Sequence, residues 1–285
     1  MSDPLRGLHA QLACVWEATA RKPGNVHRHR DFADTTYLDF LASAVAIGPA
    51  FAAGLAVGEI VLAGVRATRL VSAANTNLGI LLLLAPLAAA EPEPDLRADL
   101  ERVLSLLTRQ DAALIYEAIR LANPGGLGKV ADGDVSGEPD RGLRELMALA
   151  ADRDAVARQY AGGYRDVFEV GIPALREGLA RTGCLEGAII HAHLCLMSRF
   201  PDTLIARKRG QGEADESSRR AAEVLALDWP DSRQRCDEFD AWLREKGNAR
   251  NPGATADLVA ACLFALLRTR ELPTMPARFF LPAWE

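Results

Sequence analysis

The stretch Ser72-Ala73-Ala74-Asn75-Thr76-Asn77-Leu78-Gly79-Ile80, continued by Leu81 to Leu84, Ala85 and Pro86, decides the reading of the fold. It sets three consecutive hydrogen-bonding side chains ahead of an apolar run, and no charge occurs between Leu70 and Ala90. An uncharged segment of this length predicts burial, where amides and hydroxyls are costly without partners. Asn and Thr are favoured helix N-caps because their side chains satisfy the free N–H groups of the first turn. The segment therefore predicts a core helix whose N-terminus opens inside the protein, where it attracts anions. Taken alone it could be an ordinary capped helix.

The rest of the chain points to the same class. Its 285 residues are 49% apolar but only 6% aromatic, with Ala and Leu dominant and alternating β-branched runs scarce. That balance predicts an all-α protein, a multi-helix bundle with central apolar helices. No linker divides the chain and no repeat is visible, so residues 1–285 read as a single domain. A net charge of −5 argues against a general nucleic-acid binder. The five scattered cysteines, without a CxxC pair, suit reduced thiols in a cytoplasmic protein. Met1-Ser2-Asp3-Pro4 is not a signal peptide. Phe40–Gly58 and Leu70–Ala90 have the length of membrane spans, but their Ala content, prolines and polar residues predict soluble core helices instead.

The first helix is expected from Pro4 to about Arg21, with Leu5, Leu8, Leu12, Val15 and Trp16 on its apolar face. Lys22-Pro23-Gly24-Asn25 stops it. The next helix begins near Thr35 or Thr36 and is expected to break or kink around Gly48-Pro49. Further helices are expected near 96–107, 111–121, 143–150, 154–169, 173–181, 185–198, 216–225, 231–246 and 258–267. The Gly-rich segment from Asn123 through Lys129 to Pro139 reads as a functional or mobile loop.

Polar residues interrupt this apolar background elsewhere too. Asn251-Pro252-Gly253 reads as N-cap, first-turn proline and a glycine permitting close backbone approach, with Asp257 following on an apolar helix. An acid there is favoured by the helix dipole alone, or it is a carboxylate facing a pocket, a base or an Mg²⁺ ligand. Glu17 precedes Lys22 by five residues, and Asp202-Thr203 precedes the basic run Arg207-Lys208-Arg209, which is either a solvated face or a phosphate site. His191 and His193 point to different faces of one helix, and His27 and His29 sit among arginines, so no zinc site is expected, and no haem. Walker, GxGxxG and GxSxG motifs are absent.

Taken in order, Glu17…Lys22-Pro23-Gly24-Asn25-Val26, Asp39-Phe40 with Ser43, Asn75-Thr76-Asn77-Leu78-Gly79, Asp202-Thr203…Arg207 and Asn251-Pro252-Gly253…Ala256-Asp257-Leu258 resemble the triphosphoribosyl-dephospho-CoA synthases. The resemblance spans about residues 13 to 267 and implies an all-helical fold. It implies transfer of the triphosphoribosyl part of ATP to 3′-dephospho-CoA with release of adenine, giving a prosthetic-group precursor. On that basis Glu17 and Asp257 are expected as base or Mg²⁺ ligand, and Lys22, Arg207 and Lys208 as triphosphate ligands. Pro23, Gly24, Asn25, Asn75, Thr76, Asn77, Gly79, Asp202, Asn251 and Gly253 complete the expected substrate site. The family typically carries a His-Lys pair where this chain has Asn77-Leu78. That departure implies a divergent branch, with a related nucleotide-like acceptor as the alternative. A non-catalytic helical scaffold is the alternative from another class. A homo-oligomer is compatible with this much Ala and Leu.

Overall fold

The computed structural model describes residues 2–125, 132–227 and 232–282. Among them are fourteen α-helices and no strand, only isolated bridges at His27–Arg30 and Phe32–Thr35. The helices are α1 (Pro4–Thr19), α2 (Tyr37–Ala52), α3 (Val57–Arg69), α4 (Leu78–Ala89), α5 (Leu96–Ser105), α6 (Arg109–Ala122), α7 (Leu143–Ala148), α8 (Ala155–Gly162), α9 (Ile172–Thr182), α10 (Leu185–Arg199), α11 (Thr203–Arg209), α12 (Gln211–Leu225), α13 (Ser232–Arg244) and α14 (Gly253–Arg268). Short polar side chains start several of them. Asp3 accepts from the Leu5 and Arg6 amides ahead of Pro4, and Thr36–Asp39 and Thr108–Asp111 form reciprocal capping boxes.

Two helices that are apolar all round form the centre. In α4, Leu81, Leu83, Leu84 and Leu87 are fully buried, and α14 buries nearly every residue from Leu258 to Leu267. A helix without a polar face has to be enclosed. These two pack on each other, with α1, α3, α5 and α8 against them. A smaller apolar cluster, including Leu194, Met197, Ile205, Val224, Phe239 and Leu243, joins α10 to α13.

Prolines lie inside two helices without ending them. Pro86 has no N–H, so it cannot serve the Leu82 carbonyl one turn earlier; the Tyr160 hydroxyl donates to that oxygen at 2.6 Å instead. Pro49 frees the Val45 carbonyl in the same way, and Gln11 Nε2 donates to it at 2.8 Å. The break expected at Gly48-Pro49 is therefore absent, because a side chain from α1 replaces the missing backbone bond.

Three further expectations change. The core segment begins at Leu78 rather than Leu70: Leu70 is 86% exposed and residues 70–77 form the α3–α4 connection, because absence of charge alone does not bury a turn. Of the expected α1 face, Trp16 is buried and Leu12 and Val15 pack against the core, but Leu5 and Leu8 face outward, and Gly7, Ala10, Ala13, Cys14 and Glu17 complete the buried face. Small residues let α1 approach α2 closely, with Gly7 against the Gly48 carbonyl. The helix expected over 154–169 instead ends at Gly163, which has φ +63°, and a π-helical turn at Val167–Gly171 leads into α9. Gly126 to Lys129, part of the expected loop, lie outside the described residues. No described helix is long and apolar enough to cross a membrane.

Candidate active site

A cleft of about 1100 Å³ opens where α4, α8 and α14 begin. The first turns of all three line it, through Leu78 and Gly79, Val156 and Ala157, and Ala254 and Ala256. Helix starts carry the positive end of the dipole, so three together favour a polyanion even where their first amides are capped. The end of the short helix α11 adds the cations Arg207 and Lys208.

Interlocking side chains hold these helix starts in place. Asp202 is fully buried and caps α11 by accepting from the Leu204 and Ile205 amides, while its other oxygen accepts from the Thr255 amide and hydroxyl at 2.8 Å. The Thr203 hydroxyl accepts from the first amide of α8, that of Ala155, at 3.1 Å. The α3–α4 turn is tied to α2 through Ser72–Asp39 and Thr76–Ser43, at 3.0 and 2.7 Å. Asn77 closes onto Thr68, and Asn75 Oδ1 accepts from the Leu78 amide. Across the cleft Asn25 Nδ2 donates to Asn251 Oδ1 at 2.9 Å, and Asn25 Oδ1 is buried without a partner among the described residues.

Asp257 lines the cleft from the first turns of α14. Its carboxyl lies against the α-carbon of Gly79, so close that a Cβ there would stand 2.6 Å from Asp257 Cγ. Only glycine admits this approach. Among the described residues Asp257 has no hydrogen-bond or ion-pair partner at contact distance. Burial pushes its carboxyl well above the ordinary carboxylate range, and the charges of Glu17, Asp202 and Asp154 push further, against Arg207. Asp154 Oδ2 lies 3.7 Å from Arg207 Nη1.

Eleven of the expected residues line the cleft: Glu17, Asn25, Asn75, Thr76, Asn77, Gly79, Arg207, Lys208, Asn251, Gly253 and Asp257. Lys22, Pro23, Gly24 and Asp202 lie behind its wall. Lys22, expected as a triphosphate ligand, is fully buried with Nζ 2.9 Å from Glu17 Oε1 and bonded to the Glu17 carbonyl. Burial lowers its pKa and raises that of Glu17, with each charge opposing the shift of the other. Pro23 and Gly24 shape the turn: Gly24 takes φ +76° and donates to Asp240, and its space is bounded by Leu243 and Pro252. Asp202, expected at substrate, is committed to the α11 and α14 starts as described above.

Sequence reasoning missed Asp154, Arg153, Asp34 and Asn248, which also line the cleft. Asp154 has the signature of an N-cap, and it does accept from the Ala157 amide, so its place on the cleft wall left no separate trace. Among the described residues no three His, Cys, Asp or Glu side chains cluster as a metal site, and all five cysteines are free.

Residues 6–274 match the model of the ATP:dephospho-CoA triphosphoribosyl transferase family. The chain belongs to this family. A crystal structure from Archaeoglobus fulgidus, provisionally assigned as a triphosphoribosyl-dephospho-CoA synthase, superposes with a TM-score of 0.60 at 26% identity, covering 80% of this chain and 98% of that one. No curated protein matches. The family is one of transferases that act on ATP and dephospho-CoA, so the resemblance in the five motifs and the all-α expectation both hold.

Proposed function

We propose that this cleft transfers the triphosphoribosyl group of ATP to a ribose hydroxyl of dephospho-CoA, with Asp257 as the general base. The observation carrying this reading is the partner-free Asp257 carboxyl, packed on Gly79 where three helices begin. A carboxylate whose pKa is raised by burial and neighbouring negative charge is a stronger base than an ordinary one. The triphosphate lies at the α4, α8 and α14 starts with Arg207 and Lys208. Asn25 Oδ1, Asn75 and Asn251 orient ribose hydroxyls. Asp257 takes the proton of the attacking hydroxyl as the new C1′–O bond forms. The C1′–N bond breaks with its electron pair going to adenine, which takes its proton from water as it leaves, while the proton held by Asp257 returns to solvent. The transition state resembles an oxocarbenium ion, and the nearby negative charge of Glu17 and Asp257 stabilises it.

Mg²⁺ binds through one or two carboxylates together with substrate phosphates and water, so the absence of a three-residue cluster does not conflict with it. Asp154, beside Arg207 at the phosphate end, fits that mode, and Asp257 is the other available carboxylate. Glu17, expected as a ligand, is already paired with Lys22. When bound, the cation offsets part of the triphosphate charge.

The test is incubation of the protein with ATP, Mg²⁺ and dephospho-CoA, following adenine and acceptor mass. Adenine release with a triphosphoribosyl mass gain on dephospho-CoA is expected. Adenine release only with another acceptor would transfer the reading to a divergent substrate, and no release with any acceptor would refute it.

A further inference from the structure

The cleft has two chemically different ends. One carries Asn25, Asp34, Arg207, Lys208, Asn251 and Asp257; the other is walled by Ile119 of α6, Val135, and Leu143, Leu146, Met147 and Ala150 in and beyond α7, with Asp134, Asp152 and Arg153 at its rim. The whole volume of about 1100 Å³ exceeds the roughly 300–1,000 Å³ typical of a site for one small ligand. The apolar wall is not a collapsed core, since Met147 and Ala150 remain partly exposed along it. Tyr116 holds the segment behind it by donating to the Gly133 carbonyl at 2.7 Å.

We propose that this apolar end is the acceptor-selecting subsite, and that it takes the long thiol-ended amide arm of an ADP-linked acceptor. The inference rests on the transfer reaction proposed above. Connectivity within the substrates decides the placement. Adenine is bonded directly to the carbon under attack, so it stays beside Asp257, and the triphosphate stays with the cations and helix starts. The acceptor's own nucleoside must also reach Asp257 through its hydroxyl. Its arm is the one part of either substrate long enough to leave the polar end, and its methylene and gem-dimethyl groups match an aliphatic wall. Asn123, at the edge of the same wall, offers an amide to the arm's peptide-like groups.

Calorimetric titration of the full chain with dephospho-CoA, with ADP (the same acceptor without its arm) and with ATP tests the assignment without requiring turnover. The wild-type protein should bind dephospho-CoA more tightly than ADP. Met147→Trp, which fills the apolar end, should weaken dephospho-CoA at least tenfold and leave ADP and ATP within twofold. Ala150→Trp does the same from the next turn and guards against a folding defect in the first variant. Equal binding of dephospho-CoA and ADP by the wild type would overturn the proposal, as would weakening confined to ATP, which would place adenine there. Adenine release by the wild type separately decides the parent reaction, so the two readings fail independently.

Discussion

Gly79→Ala isolates the position of Asp257 from its chemistry. Gly79 is the second residue of α4, where an alanine would ordinarily favour the helix by up to about 1 kcal/mol. The backbone conformation there is helical, so no strain opposes the change. The added Cβ, however, would stand 2.6 Å from Asp257 Cγ and closer still to Oδ2, whereas ordinary contact begins at 3.4 Å. The Cγ contact alone asks the carboxyl to retreat by about 0.8 Å, the difference of those two distances, and the closer Oδ2 asks for more. A displacement of about 1 Å of a catalytic group costs on the order of 10²-fold in rate. The expected result is a folded protein with a melting temperature near or above that of the wild type and kcat/KM for adenine release lowered about 100-fold. Loss of both folding and activity would leave the clash itself as the cause, so circular dichroism accompanies the kinetics. A well-folded Gly79→Ala protein with kcat/KM within threefold of wild type would refute the argument that the contact fixes the base.

Asp257→Asn should remove about 10²–10⁴-fold of kcat by deleting the base. It should also raise the melting temperature at neutral pH. The folded-state pKa of Asp257 is raised, so the folded protein binds the extra proton above the ordinary carboxylate pKa and loses stability as pH rises through that window; Asn escapes the cost. In the wild type kcat/KM should fall as pH drops through the raised pKa, a limb that the Asn variant lacks. Lys22→Met should destabilise by roughly 3–5 kcal/mol because it strands Glu17, and Glu17→Gln in the same chain should recover much of that in denaturant unfolding. Tyr160→Phe leaves the Leu82 carbonyl without its donor and should cost about 1–3 kcal/mol by the same assay. Chelation should abolish adenine release and added Mg²⁺ restore it; full activity in excess chelator would exclude the cation from the reaction.

How far the sequence reaches depends on whether a residue's signal is local. The uncharged Leu78–Ala89 run and the Asn-Thr-Asn turn before it were legible because burial and capping leave their mark in consecutive residues. The convergence of Glu17, Asn25, Asn75, Arg207 and Asp257 followed from the family motifs, not from periodicity, since these residues are distant in the chain. Gln11 and Tyr160 were not legible at all. Their task is to replace a backbone donor lost at a proline elsewhere, and no pattern around them records it. Leu5 and Leu8 of α1 misled for a related reason: they suggested the core beside Trp16, whereas the closest packing uses Gly7, Ala10 and Ala13.

The fate of Lys22 shows why a charged motif residue need not touch a charged substrate. A lysine fully enclosed and fixed to Glu17 offers no proton or charge to the cleft. It does hold a carboxylate at the cleft wall, and that carboxylate is one of the groups raising the pKa of Asp257. Without Lys22, burial would favour a protonated Glu17, the field at Asp257 would weaken, and the base would become a weaker one. If Asp257 is the base proposed above, the pair would act on the reaction through it at one remove. The acid limb of the pH–rate profile distinguishes this from phosphate binding. The double variant Glu17→Gln/Lys22→Met should shift that limb to lower pH while leaving KM for ATP near its wild-type value. A large rise in KM for ATP with an unmoved limb would instead return Lys22 to the triphosphate.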